Sequence, residues 1–342
     1  MFEKIKEKRN SKNKGGGKVA ENQEKPKIKI EKEYEIKDID FNSSKLCQYK
    51  DMGNVKELKI LDYTPQGVPI KKISKSEYIN LDTGELKEFD TSATSRKDNK
   101  DSLYKTFRTI RDLINTNFTG GKNEVHIVLT YGEIMTDTVR LYKNCKSLIQ
   151  KLKRRLPGLE YIQVAEPQGN TSWHIHMLCK LPKGQTLSID KPILEKLWGQ
   201  GFVFIKRLED KTNIGAYLSA YLGDIFEEDV SQENRKKVKD LRTVERPVVF
   251  EEDNKEITKN KKIIKGGRLH LYPKGMNIFR HSQGIVKPTV ETIPIKEAKQ
   301  KNKDLVPCFS ERLVISQVDD NGEVIKKLNS ITYVQFNTKK KS

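Results

Sequence analysis

The stretch "SWHIHMLCK", residues 172–180, sets two of the chain's five histidines two positions apart inside an apolar run. Alternate residues of a β-strand point to the same side of a sheet, so His174 and His176 aim both imidazoles at one point. Such a pair is half of a metal site or two polar residues satisfied on a sheet, since neutral histidine serves both ways. A divalent ion such as Mg²⁺ or Mn²⁺ needs a further protein ligand, preferably an oxygen. Glu166 closes the preceding strand-like segment "LEYIQVAE" (159–166), and "PQGN" (167–170) is rich in turn residues. If that turn makes an antiparallel hairpin with Glu166 opposite His174, the carboxylate joins the histidines on one face, with Gln168 as the alternative donor. A slip of one residue in register sends Glu166 to the other face.

Outward from this hairpin the chain is well patterned. "VHIVLTY" (125–131) alternates and is rich in β-branched residues, as a strand requires. The next segment opens with Thr/Asp caps, repeats Leu141, Cys145, Leu148 and Leu152 at helical spacing, gathers Lys151, Lys153, Arg154 and Arg155 in its last turns and stops at Pro157-Gly158. After the histidine strand come a short helix started by Asp190 before Lys191-Pro192, a strand "GFVFIKRL" (201–208) and a helix "TNIGAYLSAYLGDIF" (212–226). The order β-α-β-β-α-β-α predicts an α+β fold: an antiparallel sheet with helices in a split β-α-β (RRM or ferredoxin-like) arrangement, plus smaller β-rich flanking segments.

The flanks are less regular. Residues 1–33, mostly Lys, Glu and Asn with "GGG" at 15–17, read as a disordered basic arm. Residues 34–101 read as a small β-rich module, with Asp82-Thr83-Gly84 as a hairpin turn and a polar joint at 91–101. The patterned domain then runs over 102–226. It opens on a helix with Leu103, Phe107, Ile110 and Ile114 on one face and Lys105, Arg108 and Arg111 on the other, a side that is either solvated or phosphate-contacting. Residues 227–265 form a charged excursion, and 266–290 a basic and aromatic segment packing with the domain. The remainder, 291–342, reads as linker and a C-terminal hairpin about Asp320-Asn321-Gly322.

Composition narrows the function classes. The 342 residues are 35% hydrophobic and 33% charged, with 66 Lys+Arg against 47 Asp+Glu, a formal charge of +19. That excess makes a polyanion the first partner to consider. No long apolar run predicts a membrane span and no apolar region follows the charged N-terminus, so the expected location is cytoplasmic. Cys47, Cys145, Cys179 and Cys308 are scattered with no C-x-x-C pair, which fits free thiols rather than a zinc ribbon or a disulfide framework. No G-x-x-x-x-G-K-[ST] loop is present, so a helicase motor has to come from elsewhere.

Tyr217 and Tyr221 stand four apart on the predicted helix and share one face, about 5–6 Å apart at Cβ. Ile214, Leu218 and Leu222 follow the same spacing, so a packing stripe accounts for the tyrosines as well. For phosphoryl transfer a phenol is an apt nucleophile beside a metal, because it forms an aryl phosphodiester that stores the bond energy.

Together these motifs resemble the HUH endonucleases, and among them the rolling-circle replication initiators of bacterial plasmids and phages. "HIVLTY" (126–131) resembles that family's first motif strand, "WHIHM" (173–177) is similar to its His-hydrophobic-His motif, and "YLSAY" (217–221) matches its tyrosine helix. "RLHLYPKGMNIFRHSQGI" (268–285) looks like the segment that follows in many Firmicute-type initiators. The resemblance implies an HUH fold and a metal-dependent nickase that cuts one origin strand and stays joined to its 5′ phosphate through tyrosine. It implies His174, His176 and Glu166 as ligands of Mg²⁺ or Mn²⁺, and Tyr217 as nucleophile with Tyr221 as a second tyrosine. Lys180, Lys206, Arg207, Arg268 and Arg280 are candidate DNA contacts. The implied partners are single-stranded or hairpin origin DNA and a host helicase and polymerase.

Two other readings compete. A relaxase or transposase of the same fold usually carries a cluster of three histidines, and only two sit together here. A noncatalytic basic nucleic-acid-binding protein explains the charge equally well but not the placing of the histidines and tyrosines.

Overall fold

The computed structural model describes residues 27–64, 70–74, 76–81, 83–89, 100–208, 214–215, 222–252 and 255–341. The described residues open with β1 (Lys27–Tyr34), β2 (Leu46–Met52) and β3 (Val55–Leu61), then a small sheet of β4 (Ile70–Lys72), β5 (Glu77–Asn80) and β6 (Leu86–Glu88). Next come α1 (Lys100–Asn117), β7 (Glu124–Leu129), α2 (Thr138–Arg155), β8 (Glu160–Pro167), β9 (Trp173–Lys180), α3 (Lys191–Trp198) and β10 (Val203–Arg207). A third part holds β11 (Ile225–Phe226), α4 (Gln232–Val238), β12 (Thr243–Glu252) and β13 (Lys255–Ile264). The chain ends with β14 (Phe279–His281), β15 (Thr289–Pro294), α5 (Ile295–Lys301), β16 (Leu305–Val318) and β17 (Val324–Lys341).

The helix starts follow from local chemistry. The Asp137 carboxylate accepts from the N–H groups of Val139 and Arg140 and so caps α2, while Lys153, Arg154 and Arg155 sit at the carbonyl end. Asp190 caps α3 ahead of Pro192, and Gly199 ends it in the left-handed region (φ 61°) that a side chain disfavours. The predicted α2 stripe is buried as a set, Leu141, Cys145, Leu148 and Leu152 each being at most 1% exposed.

The central sheet has the order β10-β7-β9-β8-β14, antiparallel at each pairing. β7 and β8, joined through α2, are parallel with β9 between them. β9 and β10, joined through α3, enclose β7 in the same way. This is the split β-α-β arrangement that the element order predicts, and the fold is mixed α+β. The alternation of β9 decides the layering. Trp173, Ile175, Met177 and Cys179 are all buried, on the side where α2 packs: Lys153 of α2 lies 5.7 Å above the Tyr161 ring, and Tyr161 pairs with Cys179. His174 and His176 point to the opposite side. There Ile162, Val164 and Leu178 are buried in the same apolar cluster as Leu103, Phe107, Ile110 and Ile114 of α1.

The flanks depart from the sequence reading. Residues 27–33, read as part of the disordered arm, belong to β1, an edge strand paired with β16 along its whole length, while residues 1–26 lie outside the described residues. Asp82 of the expected hairpin turn and residues 91–99 of the polar joint lie outside them too. Residues 291–301, read as linker, complete β15 and form α5. β2 and β3 join β15, β16 and β17 in a six-stranded sheet ordered β1-β16-β17-β3-β2-β15, so the flanking sheet is larger than the central one. Three of its five pairings, β1 with β16, β3 with β17 and β2 with β15, join residues more than 230 apart in sequence, which local patterning cannot register. One face covers Ile295 and Ala298 of α5 with Cys47, Tyr49, Leu58, Val334 and Phe336. The other meets α1 through ions: Lys50 reaches Asp112 at 2.8 Å and Glu57 at 3.5 Å, and Arg111 reaches Glu57 at 3.5 Å. Arg111 thus belongs to a packed ionic seam, and Arg108 lies 5.8 Å from the Tyr333 ring centre.

Candidate functional site

β8 and β9 pair with Glu166 opposite His174 and Val164 opposite His176, the register that puts the carboxylate and both imidazoles on one face. The connecting turn is closed by Gln168 N–H donating to Ser172 O (2.8 Å) and Thr171 N–H to Gln168 O (2.9 Å). Gly169 is required there, because a Cβ would fall 1.6 Å from the backbone oxygen of Asp229. Gly169→Ala is expected to push the hairpin off the 227–238 segment and cost about 1–3 kcal/mol, read as a lower urea midpoint.

Glu166 is 5% exposed and fully partnered. One oxygen meets His176 Nε2; the other lies 3.0 Å from Arg268 Nη1. Arg268, 7% exposed, also donates from Nη1 to Pro167 O (2.6 Å) and from Nε to Asp224 O (2.7 Å). Burial raises the Glu166 pKa, but the hydrogen bond from His176 and the charges of His176, Arg268 and His174 outweigh it, holding the carboxyl below its ordinary value. An ionised Glu166 only accepts, so His176 donates from Nε2 and, when neutral, offers Nδ1 as an acceptor. His126 Nε2 lies 3.1 Å from that nitrogen, with the two rings stacked at 5.3 Å. The result is a chain His126–His176–Glu166–Arg268 across β7, β9 and β8. Sequence counting found two neighbouring histidines, and strand pairing brings in a third: His126, opposite Leu178 on β7.

His174 differs from His176. Burial lowers its pKa to about 4, with Glu166 opposing and His176 and Arg268 reinforcing the shift. The ring is therefore neutral at pH 7 and keeps a lone pair for a ligand. The unfolded chain takes this proton first, near 6.5, so the stability contributed by neutral His174 is complete above pH 6.5 and is lost as pH falls toward 4. His174→Gln is expected to flatten the unfolding free energy between pH 6.5 and 4, measured by urea titration at a series of pH values.

The donor types, two imidazoles and one carboxylate, suit Mg²⁺ or Mn²⁺. As arranged, His176 uses both ring nitrogens, and the described residues contain no three ligand-type side chains gathered around one point. Binding through His176 Nε2 would exchange its hydrogen bond to Glu166 for the ion and move the ring proton to Nδ1. Gln168 is half-buried on the turn, its backbone engaged by Ser172.

Tyr217 and Tyr221 lie outside the described residues. The residues flanking them are fixed. Ile214 and Gly215 are buried, with Gly215 N–H donating to Asn115 Oδ1 of α1 (2.9 Å). On the other flank Leu222 O accepts from the buried Tyr272 hydroxyl (2.9 Å), and Gly223 O accepts from Arg268 N–H (2.9 Å). Arg268 thus bonds Glu166 through its side chain and the end of the tyrosine segment through its backbone. This role was missed in the sequence, where Arg268 reads as a candidate DNA contact.

The other candidate DNA contacts fall in different settings. Lys180 is half-buried, donating to Asn117 O (3.2 Å) and Oδ1 (3.1 Å) and lying 5.7 Å from the Phe118 ring, and burial lowers its pKa. Arg207 donates to Lys122 O (2.7 Å), and Arg280 stacks 3.8 Å from the Tyr142 ring on the α2 side. Lys206 is exposed on β10, opposite His126. Among the described residues no helix is long and apolar enough to cross a membrane.

Residues 124–225, about a third of the chain, match the family model described as replication-associated protein ORF2. The match begins with β7, takes in both histidine strands and ends at the first residue of β11, which supports a replication initiator protein. Comparison with curated proteins and with solved structures gave no match.

Proposed function

We propose, taking the replication-associated match of residues 124–225 as the premise, that this chain is a rolling-circle replication initiator of the HUH type. In this reading it nicks one strand of origin DNA. The observation that carries the reading is the register pairing Glu166 with His174, because it sets three donors of the right chemistry on one sheet face inside the matched segment. The backbone of Arg268 links that cluster to Gly223, at the end of the tyrosine segment.

His174, His176 and Glu166 would hold Mg²⁺ or Mn²⁺, which when bound supplies Lewis-acid polarisation of the scissile phosphate. Tyr217 is the nucleophile. Its phenolate attacks phosphorus in line, the new bond joins Tyr217 Oη to the 5′ phosphate, and the bond from phosphorus to the 3′ oxygen breaks with its electron pair on that oxygen, which takes a proton from water and leaves as the 3′ hydroxyl, balancing the proton the phenol gives up to water. The phenol proton must leave first, since an unperturbed tyrosine has a pKa of about 10. Tyr221 is placed by sequence to accept the strand at termination. Because the strand has to reach the sheet face, the substrate is single-stranded or a hairpin loop. Unwinding and synthesis fall to a host helicase and polymerase. The replication-associated match, rather than the histidine count, favours an initiator over a relaxase.

The test is to incubate the protein and Mn²⁺ with single-stranded oligonucleotides tiling the DNA that carries its coding sequence. A covalent adduct resistant to denaturant is expected, abolished by chelation. An adduct of undiminished yield from Tyr217→Phe/Tyr221→Phe contradicts the reading.

A further inference from the structure

We infer that the exposed side of β10 is a base-stacking platform for the single strand, built by Phe204 and Phe202 with Lys206 beside them. This rests on the proposed function and adds to it a place for the nucleotide flanking the scissile phosphate.

β10 has two sides with separate tasks. Val203 is 4% exposed and Ile205 packs on the core, so apolar burial is served by the odd-numbered residues. Phe204 is 55% exposed and Phe202 73%. Packing asks for nothing aromatic at either position. A single exposed apolar side chain is ordinary, but two at alternate positions, one on the edge strand β10 and one immediately before it, on the face of the candidate site, form a pattern.

The register ties that pattern to the histidines. Phe204 pairs with Val128, and Val128 pairs with His176, so the three stand in one row across β10, β7 and β9. Two strand spacings separate Phe204 from His176, roughly 10 Å, the reach of a neighbouring nucleotide. In the next row Lys206 pairs with His126. The backbone at Phe202 is held, its carbonyl accepting from Thr130 N (3.0 Å) and Thr130 Oγ1 (3.0 Å). An aromatic face beside a cation, on a rigid strand of a chain with a formal charge of +19, recognises a nucleobase and the phosphate next to it.

The occupant is a base, and stacking tolerates any base, so a homopolymer suffices as probe. Affinities are measured by fluorescence anisotropy for a labelled strand of about 16 thymidines and for an all-abasic strand of equal length, with wild type and Phe202→Ala/Phe204→Ala. Wild type should prefer the thymidine strand about tenfold or more. The double variant should lose most of that preference while binding the abasic strand as wild type does, which also reports an intact fold; Phe204→Trp should keep the preference. An unchanged preference in the double variant, or a drop in self-association with no change in strand affinity, overturns the platform alone. If wild type binds neither strand, the functional reading falls with it.

Discussion

Arg268→Met unfolds at a markedly lower urea concentration than wild type, with an expected cost of about 3–5 kcal/mol, because it strands a buried carboxylate. Glu166 is 5% exposed and its charge is answered at one oxygen by Arg268 and at the other by His176. The same substitution removes the donors to Pro167 O and Asp224 O, so β8 and the segment after the tyrosines lose a shared partner. Removing both charges is expected to be milder than removing one: Glu166→Gln/Arg268→Met should recover a large part of the loss, since no ion is then left buried alone. If Arg268→Met unfolds like wild type, the guanidinium is not the counter-charge that keeps Glu166 in the interior.

The second large effect separates cleavage from binding. On the proposed function, His174→Ala and His176→Ala are expected to lower strand cleavage by about a hundredfold or more while single-strand affinity stays within a few-fold, since the strand would be held mainly through phosphates and stacked bases. The two variants should differ in stability. His174 is neutral and half-buried with no charge to answer, whereas His176 partners Glu166 and His126, so its loss leaves the carboxylate with Arg268 alone. Equal cleavage by either variant and wild type contradicts the assignment of these imidazoles to the reacting centre.

Much of the central sheet was legible because its signals are local. Asp137 and Asp190 as caps, the α2 stripe and the alternation of β9 each act within a few residues, and the element order then leaves few ways to arrange four strands. The pairing of Glu166 with His174 was readable only conditionally. It depended on the turn at 167–170 being tight, which close packing of Gly169 against Asp229 accommodates. His126 stands in the strand-like "HIVLTY" (126–131), yet nothing local marks it as a neighbour of His176, since no feature within a few residues registers β7 against β9 across 50 residues. Arg268 is harder still, its role resting on three acceptors brought together from Glu166, Pro167 and Asp224. The six-stranded flanking sheet was hidden for the same reason. Charged strands such as "KIKIEKEY" (27–34) look like disordered text until β16 is beside them.

The central claim is that strand cleavage by this sheet face ends in a bond to tyrosine, and the direct measurement is the mass of the peptide that carries the nucleotide. After reaction with a single strand and Mn²⁺, digestion with trypsin and nuclease should leave the nucleotide on the peptide from Thr212 to Arg235, which contains both Tyr217 and Tyr221. Fragmentation should place the added mass on Tyr217 in the wild type. A strand cleaved with no nucleotide-bearing peptide, or with the mass on a residue outside 212–235, contradicts the account.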